Sequence, residues 1–221
     1  MPFLKNAWYA AGWSKDLADA AIARTILDEP VVLFREADGT VRALRDSCPH
    51  RFAPLSLGRL TGTGVACPYH GLEFDGGGKC VRNPHGNGAV PAALSVRSFP
   101  ITERFGMIWI WMGDASKADP ASLPPLDRME RADLSWIHGQ LHVEANYQRV
   151  IDNLLDLTHV EFLHPILASP GNSERTVFRA EEKDGVVSAY YDVTDEPISG
   201  LFQILWTDSA TTATIHAYMH W

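Results

Sequence analysis

No apolar run in this chain is long. The most hydrophobic, "MIWIWM" from Met107 to Met112, falls far short of the ~20 residues needed to span a bilayer, so no membrane association is expected. Basic residues are the minority: 19 Lys and Arg stand against 27 Asp and Glu, a net charge of −8. That balance argues against nucleic acid as a partner, because phosphate binding needs a basic face. Cysteine is scarce too. Three is an odd number, and two of the cysteines sit in short Cys/His pairs rather than at disulfide-framework spacings, which fits a reducing cytoplasm. The start, "MPFLKNAWYAAGWSKD", lacks a basic segment leading into an apolar one, so no signal peptide is expected. There is no G-x-G-x-x-G unit for a dinucleotide and no repeat of fixed period. What remains is ordinary globular composition, 46% hydrophobic over 221 residues, enough for one large domain or two modest ones.

The first hundred residues read as short strands separated by turns. "RTILDEPVVLFREADGTVRALRD" holds two apolar runs joined across Asp38-Gly39, a hairpin signal. "VACPYHGLEFDGGGKCV" repeats the form around Gly76 to Gly78, and "FPITERFGMIWIWMGD" ends the series. An all-β domain is expected over residues 1–115. Prolines 120, 124 and 125 among small polar residues then predict a linker over 116–135. Beyond it, Val150, Leu154, Leu157 and Val160 fall at helical spacing, with Pro165 as the stop. From about Thr176 the pattern returns to strands, including "LFQILWTDSATTATIHAYMH", while "DVTDE" reads as a turn.

Between these elements lie two short pairs, Cys48-Pro-His50 and Cys67-Pro-Tyr-His70, with sixteen residues between His50 and Cys67. Two cysteines and two histidines suit a structural zinc ion or a two-iron cluster. Zinc sites of this composition usually take both cysteines from one turn and both histidines from one helix. Here each turn offers one of each, and no helix pattern intervenes. The division favours a redox cluster, with zinc kept as the alternative. Pro49 and Pro68 restrict the chain after each cysteine, and Gly71 admits a close backbone approach. Cys80 reads as a small buried hydrophobe. His85, in "NPHGNG", reads as a turn residue covering the cluster or as a further ligand.

Asp156, His159 and His164 form a second group. The histidines are five residues apart, roughly 140° around a regular helix, and cannot share one face of it. The helix must therefore bulge or end, and Pro165 disfavours helical geometry at His164. An Asp and two His on an amphipathic helix can be ordinary surface or core residues; on a broken helix end they also suit a non-haem iron site.

The sequence "CPHR…CPYHG" resembles the Rieske motif, and "NYQRVIDNLLDLTHVEFLHP" resembles the mononuclear-iron signature of Rieske oxygenases, matched from Asn153 through His164. "NAWY", "CPHRFAPLS", "VRNPHGNG" and "ALSVRSFP" look most similar to the vanillate and dicamba O-demethylase branch of that family. The resemblance implies an α+β chain: an all-β Rieske domain, then the N-terminal part (136–221) of a helix-grip catalytic domain with antiparallel sheet and helices. It implies a [2Fe-2S] cluster with Cys48 and Cys67 on one iron and His50 and His70 on the other. It implies a mononuclear Fe(II) on His159 and His164, with Asn153 and Asp156 as catalytic residues. In the family the aspartate links a cluster histidine of the neighbouring subunit to a ligand histidine, here His159. Leu72 stands where the family often has tryptophan. Phe74 lacks the hydroxyl of a tyrosine, which points to a cluster potential low in the Rieske range.

The implied activity is that of the oxygenase component of a multicomponent monooxygenase. It would use O2 to O-demethylate or hydroxylate an aromatic, carboxylate-bearing substrate. Electrons would come from NAD(P)H through a separate ferredoxin or flavin reductase, and the assembly would be a cytoplasmic homotrimer. Arg51, Arg59 and Arg82 lie near the cluster motif as a docking patch or as scattered solvated charges. The family's third iron ligand is an aspartate expected beyond residue 221, so a truncated portion of a longer oxygenase is expected. Asp192, Asp195, Glu196 and Asp208 are weaker candidates for that role. His216 and His220 could line a pocket or face solvent. A ferredoxin-like electron carrier, another Rieske ring hydroxylase and a zinc-stapled binding module remain as alternatives.

Overall fold

The computed structural model describes residues 3–17, 20–91, 93–198 and 200–220. Two compact units emerge, Met1–Ile137 and His138–Trp221. No helix of the described residues is long and apolar enough to cross a membrane.

The first unit is all β. Its strands are β1 (Ala7–Trp13), β2 (Ile22–Ile26), β3 (Glu29–Arg35), β4 (Val41–Arg45), β5 (Arg59–Leu60), β6 (Gly64–Ala66), β7 (Glu73–Asp75), β8 (Cys80–Arg82), β9 (Ile101–Arg104) and β10 (Met107–Met112). They form three antiparallel sheets, ordered β1-β10-β9, β2-β3-β4 and β5-β6-β7-β8. The expected hairpin closes β3 onto β4: Gly39 has φ +90°, and Asp38 Oδ1 accepts from Thr40 N at 2.9 Å. Strand β3 explains its own unbroken run "VVLF". Val32 and Phe34 enter one core with Leu44, Leu55, Val65 and Phe74, whereas Val31 and Leu33 enter another with Val41, Ile108 and Ile110. A strand covered on both faces needs apolar residues at every position. Cys48 and Cys67 are members of the first of these cores, so both cysteines are anchored in buried, packed surroundings. At the β7–β8 turn, Gly78 has φ +84°, and a Cβ there would sit 2.0 Å from the Val96 carbonyl oxygen. Only glycine fits.

Residues 116–135 depart from the expected linker. Leu123 is buried against Phe105 and Trp109, with Leu126 and Met129 packed beside them. Trp8 Nε1 donates to the Asp119 carbonyl at 2.9 Å, and Arg104 pairs with Asp127 at 3.2 Å. Pro120 opens one of the short 3₁₀ turns of this segment, Asp127–Glu130 forms another, and the apolar residues Leu123, Leu126 and Met129 anchor it to the first unit.

The second unit holds helices α1 (Tyr147–Leu155), α2 (Val160–Leu163), α3 (Asn172–Arg175) and α4 (Gly200–Leu205). Its antiparallel sheet is ordered β11 (Thr176–Lys183), β12 (Val186–Pro197) and β13 (Thr212–His220). Two expectations are corrected. "DVTDE" is no turn but a bulge within β12, where the register slips between Val193 and Glu196 and Asp195 takes φ +52°. The slip turns the Glu196 carboxylate inward, where it accepts from Ser169 N and Arg175 Nη2, each at 2.7 Å. "LFQIL" is the helix α4 rather than a strand; Leu201 N donates to the Ile166 carbonyl at 3.2 Å, and Gln203 Nε2 to that of Ile198 at 2.7 Å. Strand β13 begins only at Thr212.

Candidate metal centres

In the first unit, the two Cys/His turns are built alike. Cys48 N donates to the Ala53 carbonyl and Phe52 N to that of Cys48, at 2.9 and 2.8 Å. Cys67 N donates to the Leu72 carbonyl and Gly71 N to that of Cys67, at 2.8 and 3.0 Å. The residue four positions after each cysteine takes a left-handed conformation, Phe52 at φ +59° and Gly71 at φ +70°. The first turn is tied down by Asp46, whose carboxylate accepts from Ser56 N at 2.7 Å and from its hydroxyl.

The turns bring their donor atoms together in pairs. Both thiols are free and buried. Burial pushes the Cys48 thiol up to about 11, despite nearby backbone amides, and the adjacent Cys67 thiol adds to the rise. The imidazoles lie nearer solvent, with Nδ1 of His50 and Nδ1 of His70 only 3.1 Å apart. One proton can join two such nitrogens, but so can one metal ion to which both offer lone pairs. Two buried thiols at one end and two imidazoles nearer solvent at the other, one of each from either turn, suit a two-metal cluster. His70 is held below the ordinary histidine range by desolvation, then by the neighbouring His50, His85 and Arg51.

One neighbour of this pair, Tyr69, was not singled out from the sequence. Tyr69 stacks on His70, with ring centroids 4.0 Å apart and planes at 23°. Its position beside a candidate ligand was the only signal available. Arg82 and Arg59 both pair with Glu73, at 2.7 and 3.6 Å, so two of the three arginines near the motif share one carboxylate. Cys80 is buried, donates to the Arg82 carbonyl at 3.6 Å and is raised by burial.

In the second unit the predicted helix breaks earlier than Pro165. Helix α1 ends at Leu155; Asp156 leaves helical geometry at φ −87°, ψ 85°; and a 3₁₀ turn, Leu157–His159, leads into the single turn of α2. The Asp156 carboxylate causes the break locally. It accepts from Thr158 N at 3.1 Å and from the Thr158 hydroxyl, capping a new turn instead of continuing the old one. Those two bonds hold Asp156 below the usual carboxylate range, with a further contribution from His159. His164 ends α2 at φ −128°, ψ 62°. The break turns the two rings toward each other, with centroids 5.2 Å apart in an edge-to-face arrangement. The Asp156 carbonyl accepts from His159 Nδ1, leaving Nε2 as the lone-pair donor. Asn153 is exposed on the last turn of α1.

The four carboxylates considered as a third ligand are not beside this pair in any cluster of three among the described residues. Glu196 is committed to Ser169 and Arg175, Asp192 pairs with His216 at 2.7 Å, and Asp208 caps Ser209 N. His216 is largely exposed on β13, whereas His220 Nδ1 meets the Ser188 hydroxyl at 2.8 Å.

An all-β unit with two mirrored Cys/His turns, followed by a broken helix bearing two histidines, defines a class. Residues 7–100 match the Rieske [2Fe-2S] domain, and residues 143–221 match the vanillate O-demethylase oxygenase C-terminal domain. The chain belongs to the Rieske non-haem iron oxygenases, in the vanillate and dicamba O-demethylase branch. It is 48% identical over 189 residues to the oxygenase component of dicamba O-demethylase from Stenotrophomonas maltophilia, covering 86% of this chain and 56% of that protein. It is 37% identical to the vanillate O-demethylase oxygenase subunit of Pseudomonas sp. (strain HR199 / DSM 7063), covering 86% of this chain and 53% of the relative. A crystal structure of dicamba monooxygenase bound to dicamba superposes with a TM-score of 0.88 at 41% identity, over 99% of this chain and 68% of that one. The chain thus spans little more than half the length of these curated relatives.

Proposed function

We propose that this chain acts as the oxygenase component of a multicomponent Rieske monooxygenase that O-demethylates a small aromatic, carboxylate-bearing substrate. Cys48 and Cys67 would hold one iron of the [2Fe-2S] cluster, His50 and His70 the other, and His159 and His164 a mononuclear Fe(II). When bound, the cluster supplies one-electron transfer and the iron supplies O2 activation for attack on a substrate C–H bond. The observation that carries this reading is the meeting of two imidazole Nδ1 atoms, 3.1 Å apart, beside two buried thiols. The first unit is then the cluster domain and the second the iron-bearing domain.

The chain's own residues hold and orient. Asp156 fixes Thr158 through its carboxylate and the His159 ring through its carbonyl, so one residue sets the tautomer of a ligand while its charge stays available at the surface. Asn153 lies on the turn before it. Electron donors are a ferredoxin or flavin reductase drawing on NAD(P)H, and a homotrimer is the assembly in which the cluster of one subunit would face Asp156 of the next. The names of the relatives, dicamba and vanillate O-demethylase, support the methoxyaromatic substrate class.

Iron and acid-labile sulfide analysis tests this directly. Two sulfides with three irons is the expected result. Two irons alone would favour an electron carrier, and zinc without sulfide would overturn the cluster assignment. Asp156→Asn keeps an acceptor for Thr158 and removes only the charge. It should leave the cluster spectrum intact while abolishing O2-dependent formaldehyde release from the substrate; unchanged turnover would remove Asp156 from the proposal.

A further inference from the structure

The loop that follows β8 reaches back to the second Cys/His turn. It is closed on itself: Asn83 Oδ1 accepts from His85 N at 3.1 Å, Asn83 Nδ2 donates to the Ala89 carbonyl at 2.8 Å, and Gly88 N donates to that of His85 at 3.0 Å. Pro84 Cγ stands 3.3 Å from where a Cβ on Gly71 would be. His85 Nε2 lies 2.8 Å from the His70 carbonyl oxygen. A carbonyl only accepts, so His85 carries its proton on Nε2 and donates it.

The bonded carbonyl belongs to the His70–Gly71 peptide. The same peptide's N–H donates to the Cys67 carbonyl at 3.0 Å. Both ends of one peptide unit are therefore pinned, one by Cys67 and the other by His85. The unit needs this because Gly71, at φ +70°, is the residue of the turn freest to let the peptide rotate. Rotation there would swing the His70 ring away from His50. We propose that His85 is a positioning residue for the cluster: its Nε2–H latches the His70 carbonyl and fixes the direction in which the His70 Nδ1 is presented. The proposal rests on the reading of His70 as a cluster ligand. It also removes His85 as a ligand through Nε2, which is already engaged, its ring centroid 6.1 Å from that of His70.

The test compares two variants of the full chain with the wild type, all reconstituted with iron and sulfide. His85→Phe keeps the ring and removes the donor, whereas His85→Gln places an amide N–H near the Nε2 position. Outer partners of metal ligands typically contribute about tenfold or more to metal retention. His85→Phe should release iron to a chelator about tenfold faster and shift the electron paramagnetic resonance g values of the reduced cluster. His85→Gln should restore both to the wild-type behaviour. Wild-type release and g values in His85→Phe, or a His85→Gln variant as impaired as His85→Phe, would overturn the latch. A wild type without a Rieske-type signal would instead refute the cluster assignment beneath it.

Discussion

Glu196 is the residue on which the His164 side of the second unit should depend most. Its side chain is 1% exposed, and the bulge in β12 aims it at the segment that follows His164. It accepts from Ser169 N and from Arg175 Nη2, each at 2.7 Å. A hydrogen bond to a charged group contributes about 1.5–3 kcal/mol. The Arg175 bond is discounted because that side chain is 34% exposed and partly screened by water. Glu196→Ala should therefore cost the local structure about 3 kcal/mol, with Glu196→Gln intermediate because it retains an acceptor. Hydrogen exchange read by mass spectrometry is the assay, since it reports opening segment by segment. Amides of residues 169–176 and of β12 should exchange ~100-fold faster in Glu196→Ala, at about 1.4 kcal/mol per tenfold. Acceleration below threefold would mean that Glu196 does not hold this segment. The pH dependence has a fixed sign. Burial raises the Glu196 carboxyl, but the Ser169 amide, Arg175 and Asn172 outweigh it and hold it below the ordinary glutamate range. A depressed folded pKa means the stabilisation is complete above the unfolded value and is lost as pH falls through the folded one. Protection of the wild-type segment should accordingly drop in acid, and that of Glu196→Gln should not.

Other expectations follow from single contacts. Gly78→Ala places a Cβ 2.0 Å from the Val96 carbonyl and at φ +84°, so it should destabilise the first unit by about 2 kcal/mol or more, read as a lower urea midpoint. Cys67→Ser should abolish the cluster absorbance and remove the two sulfides while leaving any iron at His159 and His164. His216→Ala breaks only an exposed pairing with Asp192 and should leave iron and sulfide content unchanged. If Arg51 docks an acidic electron donor, turnover with that donor should fall as salt rises, and Arg51→Glu should weaken it further.

The strand character of the first unit was legible because each signal was local. Period-two alternation, the Asp38-Gly39 turn and the unbroken "VVLF" need no distant partner to be recognised. The segment 116–135 was misread for the opposite reason. Proline and small residues look like a linker until Leu123 finds Phe105 and Trp109, residues nearly twenty and fifteen positions away. The break in the second-unit helix was inferred from the five-residue spacing of its histidines, yet placed at Pro165 rather than Asp156. Proline's effect on a helix is written in the residue itself, whereas the capping by Asp156 depends on which rotamer its carboxylate adopts toward Thr158.

The order of residues alone determined which side chains have metal chemistry, how they are spaced and which family they belong to, since ligand type and short spacing are covalent facts. Only the tertiary structure decided that His50 and His70 face each other Nδ1 to Nδ1, that Asp156 breaks the helix, and that His85 holds the carbonyl of His70. The two histidine contacts join residues from separate turns, whose distances are set by the packed core beneath them, whereas the Asp156 break turns on a local rotamer toward Thr158.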